Sequence, residues 1–219
     1  STVSLSGPVQ SGILKNMKDC GWFNVTTAAT ANYNITFSNA GVGKISVSIK
    51  DSSGNVIPKG QYTHDVSTLK GNWVQHRVVD EVLGRVYGPK SKICSSRIAF
   101  SGSRRGVKEI YTIDYDGSNL KQETSYRSIT VEPAWSPDNR YLSYTVYGRQ
   151  NANLIQKDLY TNKHRILSSF RGLNSGAAFH PSGDKIMLTL SKDNNVVILS
   201  VSKRLCMHYH QFNTLACSA

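Results

Sequence analysis

In the second half of the chain, apolar and polar residues alternate. Leu142, Tyr144 and Val146 are interleaved with Tyr141, Ser143 and Thr145, the period of a half-buried strand. Ahead of them, Ser136-Pro137-Asp138-Asn139 has the chemistry of a type I turn, because the fixed φ of proline suits the second position. The stretch EPAWSPDNRYLSYTVY, residues 132–147, therefore predicts two antiparallel strands, the first carrying Ala134 and Trp135. The pattern returns 44 residues later, with Ala178, Phe179, Pro181 and Ile186 in place of Ala134, Trp135, Pro137 and Leu142. One period earlier, Ile98 and Phe100 head the Leu142 and Tyr144 columns. Ile110, Leu154 and Ile198 form another column, and Asp114 recurs as Asp158. A period in the low forties fits a paired-helix solenoid or a four-stranded propeller blade. Alternation selects the blade, with further turns at Asp116-Gly117-Ser118 and near Asn162.

The first 95 residues lack this repeat and read as a small α/β domain. Val9, Ile13, Leu14 and Met17 have helical spacing, and Gly21 is a helix stop. Residues 32–37 and 44–49 alternate as strands across Gly41 and Gly43, and Asp51-Ser52-Ser53-Gly54-Asn55 is a turn before Val56 and Ile57. A longer helix is expected over about 67–86, with Leu69, Trp73, His76, Val79, Leu83 and Val86 as its stripe. Gly88-Pro89 ends it. The expected division is 1–95 for the α/β domain, 96–204 for incomplete propeller repeats and 205–219 for an atypical tail.

The helix carrying Asp80-Glu81, then CSSRIAFSG, EIYTIDYDGSNLKQET, EPAWSPDN and GAAFHPSGDKI, resembles the TolB family of Tol-Pal envelope systems. Upstream, ILKNMKDCGWFNV and ANYNITFSNAGVGKISVSIKDSSGNVI are similar to that family's amino-terminal helix and strands, so residues 9–204 are covered. The resemblance implies an α/β amino-terminal domain followed by part of a six-bladed β-propeller, about two and a half blades. It also implies a periplasmic location, a Pal-like peptidoglycan-associated lipoprotein as partner, TolA as a second partner, and no catalysis or cofactor. The family's extreme amino-terminal segment, which reaches TolA, has no counterpart in this sequence, so no residue is assigned to TolA. In TolB-like proteins the loops leading into the repeated motifs contribute to the Pal-binding rim. Residues 127–132 and 171–176 are expected to be such exposed loops, with Arg127, Ser128, Glu132, Arg171, Asn174, Ser175 and Gly176 as partner-binding candidates.

Composition narrows the alternatives. Hydrophobic residues at 39% and charged residues at 18% fit a folded chain, and no apolar run reaches the length of a membrane span. The formal charge of +12 favours an anionic partner. Arg104-Arg105, Lys90 with Lys92, and Lys163-His164-Arg165 are scattered over loops without a nucleic-acid-binding motif, so no nucleic acid is expected. No Gly-x-Ser-x-Gly elbow occurs; Ser175 of Gly172-Leu173-Asn174-Ser175-Gly176 comes one place late, and His164 and His180 fall in expected loops. Cys206, His208, His210 and Cys217 have zinc-ligand chemistry at a non-standard spacing, so no metal site is expected. Cys20 and Cys94 sit in separate elements, and spacing alone predicts no disulfide. A second reading stays open, in which the repeats are the propeller portion of a peptidase-type hydrolase or another propeller scaffold. Two and a part blades cannot close, which leads to the expectation that this chain by itself self-associates.

Overall fold

The computed structural model describes residues 1–202 apart from 9, 10, 29, 105, 193 and 194. Its described residues divide into two compact units: Ser1–Ile98 with Ile113–Asn119, and Ala99–Thr112 with 120–202.

In the first unit, β1 (Thr2–Ser6), β2 (Asn24–Val25), β3 (Tyr33–Asn39), β4 (Lys44–Asp51) and β5 (Val56–Asp65) form one sheet in the order β2-β1-β3-β4-β5. β1 is parallel to β2 and β3, whereas β3, β4 and β5 are antiparallel neighbours. Alternation sends Val3, Ile35, Phe37, Val47 and Ile49 into a core shared with Ile13 and Met17 of α1 (Ser11–Asp19) and Val79 and Leu83 of α2 (Trp73–Tyr87). The opposite side chains of the same strands are hydroxyls, such as the pairs Ser6 with Thr36 at 2.9 Å and Ser46 with Thr63 at 3.2 Å. β1 was not among the expected strands, although Val3 and Leu5 alternate with Thr2, Ser4 and Ser6.

α2 begins at Trp73 rather than near residue 67, because Gly71 has φ of 56°, a left-handed conformation through which no right-handed helix continues. Leu69 instead closes a turn, its N–H donating to the Val66 carbonyl at 3.0 Å. Two polar side chains are buried on this helix. Asp80 accepts the backbone N–H of Cys94 at 2.7 Å and of Ser95 at 2.8 Å. His76, fully buried, pairs through Nδ1 with the Asn16 amide at 2.9 Å, and its ring meets Tyr115 edge-on. Cys20 and Cys94 are both buried and unbridged, and burial pushes the Cys94 thiol up to about 12.

The second unit is built of sheets. β6 (Arg97–Ser103), β7 (Lys108–Asp114) and β8 (Lys121–Gln122) form one sheet. β9 (Thr130–Trp135), β10 (Tyr141–Tyr147), β11 (Ala152–Asp158) and β12 (His164–Ser168) form a second, in the order β12-β11-β10-β9. β13 (Asn174–Phe179), β14 (Lys185–Lys192) and β15 (Asn195–Ser202) form a third. The 44-residue period places β6, β10 and β14 in one position and β7, β11 and β15 in the next. The second sheet is thus a complete four-stranded blade. The others are parts of blades among the described residues. Apolar columns pack as the period requires: Ile110, Leu142, Tyr144, Val146 and Ile155 form one core, against which Trp135 lies, and Leu154, Leu188 and Leu190 form another.

Candidate partner-binding rim

Antiparallel pairing brings the loops between β6 and β7, β8 and β9, β10 and β11, and β12 and β13 to the same end of these sheets. Several bonds hold this end in shape. The Tyr147 N–H donates to the Ile129 carbonyl at 2.8 Å, and the Ser128 hydroxyl donates to the Tyr147 carbonyl. Arg127 has φ of 54°, which costs a non-glycine residue about 1 kcal/mol. Its N–H donates to Glu109 Oε1 at 2.7 Å, and the other oxygen of this buried carboxylate accepts the Thr124 hydroxyl at 2.5 Å. The backbone that presents the Arg127 guanidinium is therefore fixed while the side chain itself is exposed.

The expected rim residues divide into two groups. Arg127, Glu132, Arg171 and Gly176 are exposed and Ser128 is half-buried. Asn174 and Ser175 are buried, at 0% and 6% exposure, and belong to β13, so the expectation that they lie on an exposed loop is corrected. Thr130 and Glu132 likewise lie within β9. Asn174 Oδ1 accepts the Ser168 hydroxyl at 2.6 Å and the Phe170 N–H at 2.9 Å. Its amide nitrogen donates to the carbonyls of Ala152 at 2.8 Å, Phe170 at 2.7 Å and Gly172 at 3.3 Å. A buried amide can use nearly all its donors and acceptors in this way. Asn174 positions the loop that carries Arg171.

Glu132 and Gly176 occupy equivalent places one period apart and share left-handed backbones, φ 57° and 65°. Each lies at a register shift between the first two strands of its sheet. Glu132 Oε2 accepts the Thr145 hydroxyl at 3.0 Å and the Gly176 N–H at 3.1 Å, tying neighbouring blades. Two more exposed arginines, Arg104 and Arg149, stand in the loops at this end. They were not among the expected site residues, although Arg105 and Arg149 are 44 residues apart, as are Arg127 and Arg171.

The chemistry of a hydrolase is not assembled among the described residues. Ser175 is inside a strand, not on a strand-to-helix turn. His180 Nδ1 lies 2.6 Å from the Ser182 hydroxyl, which donates to Asp184, but all belong to one exposed turn and the serine stands between histidine and carboxylate. A triad needs the histidine in the middle. His164 opens β12, edge-on to Tyr126, rather than lying in a loop. Among the described residues no cluster of histidine, cysteine and carboxylate has metal-binding geometry; Cys206, His208, His210 and Cys217 lie outside them. No helix is long and apolar enough to cross a membrane among the described residues.

Residues 84–208 match the family model described as the TolB beta propeller domain. The chain belongs to the TolB propeller family. It is 32% identical over 147 residues to the protein TolB homolog of Chlorobaculum tepidum, covering 67% of this chain and 33% of that protein. It is 34% identical over 128 residues to the Tol-Pal system protein TolB of Desulfosudis oleivorans, covering 58% of this chain and 29% of the relative. The chain thus spans about a third of the length of these TolB relatives. The crystal structure of TolB from Acinetobacter baumannii superposes with a TM-score of 0.76 at 19% identity, over 92% of this chain and 57% of that one. That likeness shows the fold: a helix-and-sheet unit and open sheets that are blades of a TolB-like propeller.

Proposed function

We propose that the protein is a non-catalytic periplasmic adaptor of a Tol-Pal-like system. On this reading it binds a Pal-like peptidoglycan-associated lipoprotein, with TolA as a second partner, and supports outer-membrane integrity and constriction at cell division. The observation that carries the proposal is the match of more than half the chain to the TolB propeller, shared with relatives named as Tol-Pal system proteins. The rim supports it further. Arg127, Glu132, Arg171 and Gly176 stand exposed on loops and strand entries fixed by hydrogen bonds, the arrangement of a preorganised protein interface.

The test is titration of the soluble domain of a Pal-like lipoprotein against the wild-type chain and an Arg127→Ala/Arg171→Ala variant. Arginine anchors in an interface contribute about 1–3 kcal/mol, so the variant is expected to bind about tenfold or more weakly with an unchanged circular-dichroism spectrum. Equal affinity would remove these arginines from the interface.

A further inference from the structure

Charge in the second unit is sorted between the two ends of its sheets. At the end formed by the β9–β10, β11–β12 and β13–β14 turns lie Asp138, Asp158 and Asp184, together with Arg140, Lys163 and Lys185. That end is balanced, and the Arg140 guanidinium donates to Asp158 at 2.7 Å. At the other end, Arg104, Arg127, Arg149 and Arg171 are exposed, and among the described residues none forms an ion pair. The carboxylates nearest to them in the chain are already engaged. Glu109 is buried under Thr124 and the Arg127 N–H, Glu123 is buried against Lys157, and Glu132 accepts Thr145 and Gly176. Apolar surface stands among the arginines, with Ile129 53% and Tyr147 39% exposed. Arg104 and Arg127 also line one cleft of about 720 Å³ together with Tyr111, Gln122, Ser125 and Glu109, whose buried carboxylate is already engaged by Thr124 and the Arg127 N–H.

We propose that this arginine rim is a docking surface for an acidic protein segment, whose carboxylate side chains enter the Arg104–Arg127 cleft and pair with Arg149 and Arg171 while its apolar residues cover Ile129 and Tyr147. The proposal rests on the reading of this rim as a partner surface and adds the charge of the partner. Unpaired arginines present planar forks that match carboxylates in two-bonded geometry, and mixed arginine, tyrosine and aliphatic exposure is the composition of protein interfaces. The apolar residues interleaved with the arginines have the composition of a protein interface, and among the described residues the rim carries no recognition helix, so a protein segment is favoured over a nucleic acid. The rigidity of the Arg127 and Arg171 loops lowers the ordering cost of binding.

The experiment uses three fluorescent or light-scattering probes with the full chain: a 15-residue peptide rich in Asp and Glu with central Leu and Tyr, a single-stranded oligonucleotide of matched charge, and vesicles containing phosphatidylglycerol. Arg149→Glu and Lys163→Glu change the net charge equally, but Lys163 lies at the balanced end. The expected result is peptide binding that Arg149→Glu or Arg104→Glu weakens about tenfold or more while Lys163→Glu leaves it within about twofold. Equal weakening by Arg149→Glu and Lys163→Glu would reduce the effect to net charge and overturn the proposal. So would oligonucleotide or vesicle capture that Arg149→Glu abolishes while the peptide fails to bind. If a Pal-like domain does not bind but the acidic peptide does so with this pattern, the partner assignment fails and the acidic-segment rim stands.

Discussion

Asp80 offers the sharpest test of how the first unit is held together. It lies in the middle of α2, 4% exposed, and its two oxygens accept the N–H groups of Cys94 and Ser95 at 2.7 and 2.8 Å. Those donors belong to a segment of irregular backbone that would otherwise bury unpaired N–H groups. Asp80→Asn preserves shape but replaces one acceptor by an amide donor, which then faces another donor. A hydrogen bond to a charged acceptor contributes about 1.5–3 kcal/mol and a buried unsatisfied N–H costs about 1–3 kcal/mol. Keeping one neutral bond and losing the other places the expected destabilisation at about 3 kcal/mol. With a urea slope of about 2 kcal/mol/M, the midpoint should fall by about 1.5 M. The neighbouring Glu81 pairs with Arg85 at 2.9 Å and Lys92 at 3.0 Å, but these partners are partly solvated. Glu81→Gln should therefore cost less than about 1 kcal/mol. Urea unfolding followed by circular dichroism and tryptophan fluorescence, with Trp22 and Trp73 reporting the first unit, measures both. Midpoints of Asp80→Asn and Glu81→Gln within about 0.3 M of each other would refute the reasoning that Asp80 secures the backbone after α2.

In the second unit, Asn174→Ala should destabilise by about 3 kcal/mol, because it strips partners from several buried groups; Arg171→Ala should stay within about 0.5 kcal/mol, and thermal melts of both variants check the contrast. Glu123 provides a pH test. Burial alone would raise its carboxyl, but hydrogen bonds from Lys157, Thr112 and Lys121 outweigh it and hold the group below its ordinary value. A carboxyl depressed on folding stabilises above the unfolded value of about 4.3 and loses that contribution as pH falls through the lower folded value. Lys157→Met removes the buried ammonium beside Glu123 and leaves Thr112 and the exposed Lys121 as its remaining named partners, so it should accordingly cost about 2–3 kcal/mol at pH 7, where Glu123 is ionised, and much less below about pH 4. Urea midpoints that differ by the same amount at both pH values would contradict this.

The propeller was legible because its information is local and repeated. Ser136-Pro137-Asp138 fixes a turn, Leu142, Tyr144 and Val146 fix a face, and the 44-residue period fixes their phase. The strand Thr2–Ser6 carries the same alternation in Val3 and Leu5 but stands alone, without a turn or a repeat to mark it. The start of α2 was displaced because Leu69 continues the helical stripe, and only the left-handed backbone of Gly71 excludes it. Asn174 falls in the segment immediately before the repeated motif at Phe179, and that place in the period implies a loop. Its burial depends on partners such as the Ala152 carbonyl, 22 residues away, which no local pattern announces. Buried polar groups are recognisable only once their partners are placed.

Framework and rim obey different rules within one repeat. The backbone distortion at Glu132 and Gly176 is the same, φ 57° and 65°, yet the residues differ. Glycine takes that conformation at no steric cost, whereas glutamate is strained by about 1 kcal/mol. Glu132 offsets the strain with bonds to Thr145 and to the Gly176 N–H of the next blade, and so serves the framework as a link between blades. The same holds for Arg127, whose strained backbone is anchored by Glu109 while its guanidinium forms no ion pair among the described residues. Left-handed backbone at these positions shapes the repeat, and the side chain chosen there decides whether the position ties blades together or stands exposed at the rim. On the proposed reading of the rim, a change of partner is expected to come from the exposed tips, such as Arg149 and Arg171, and not from Glu109, Glu132 and Asn174, whose hydrogen bonds hold those tips in place.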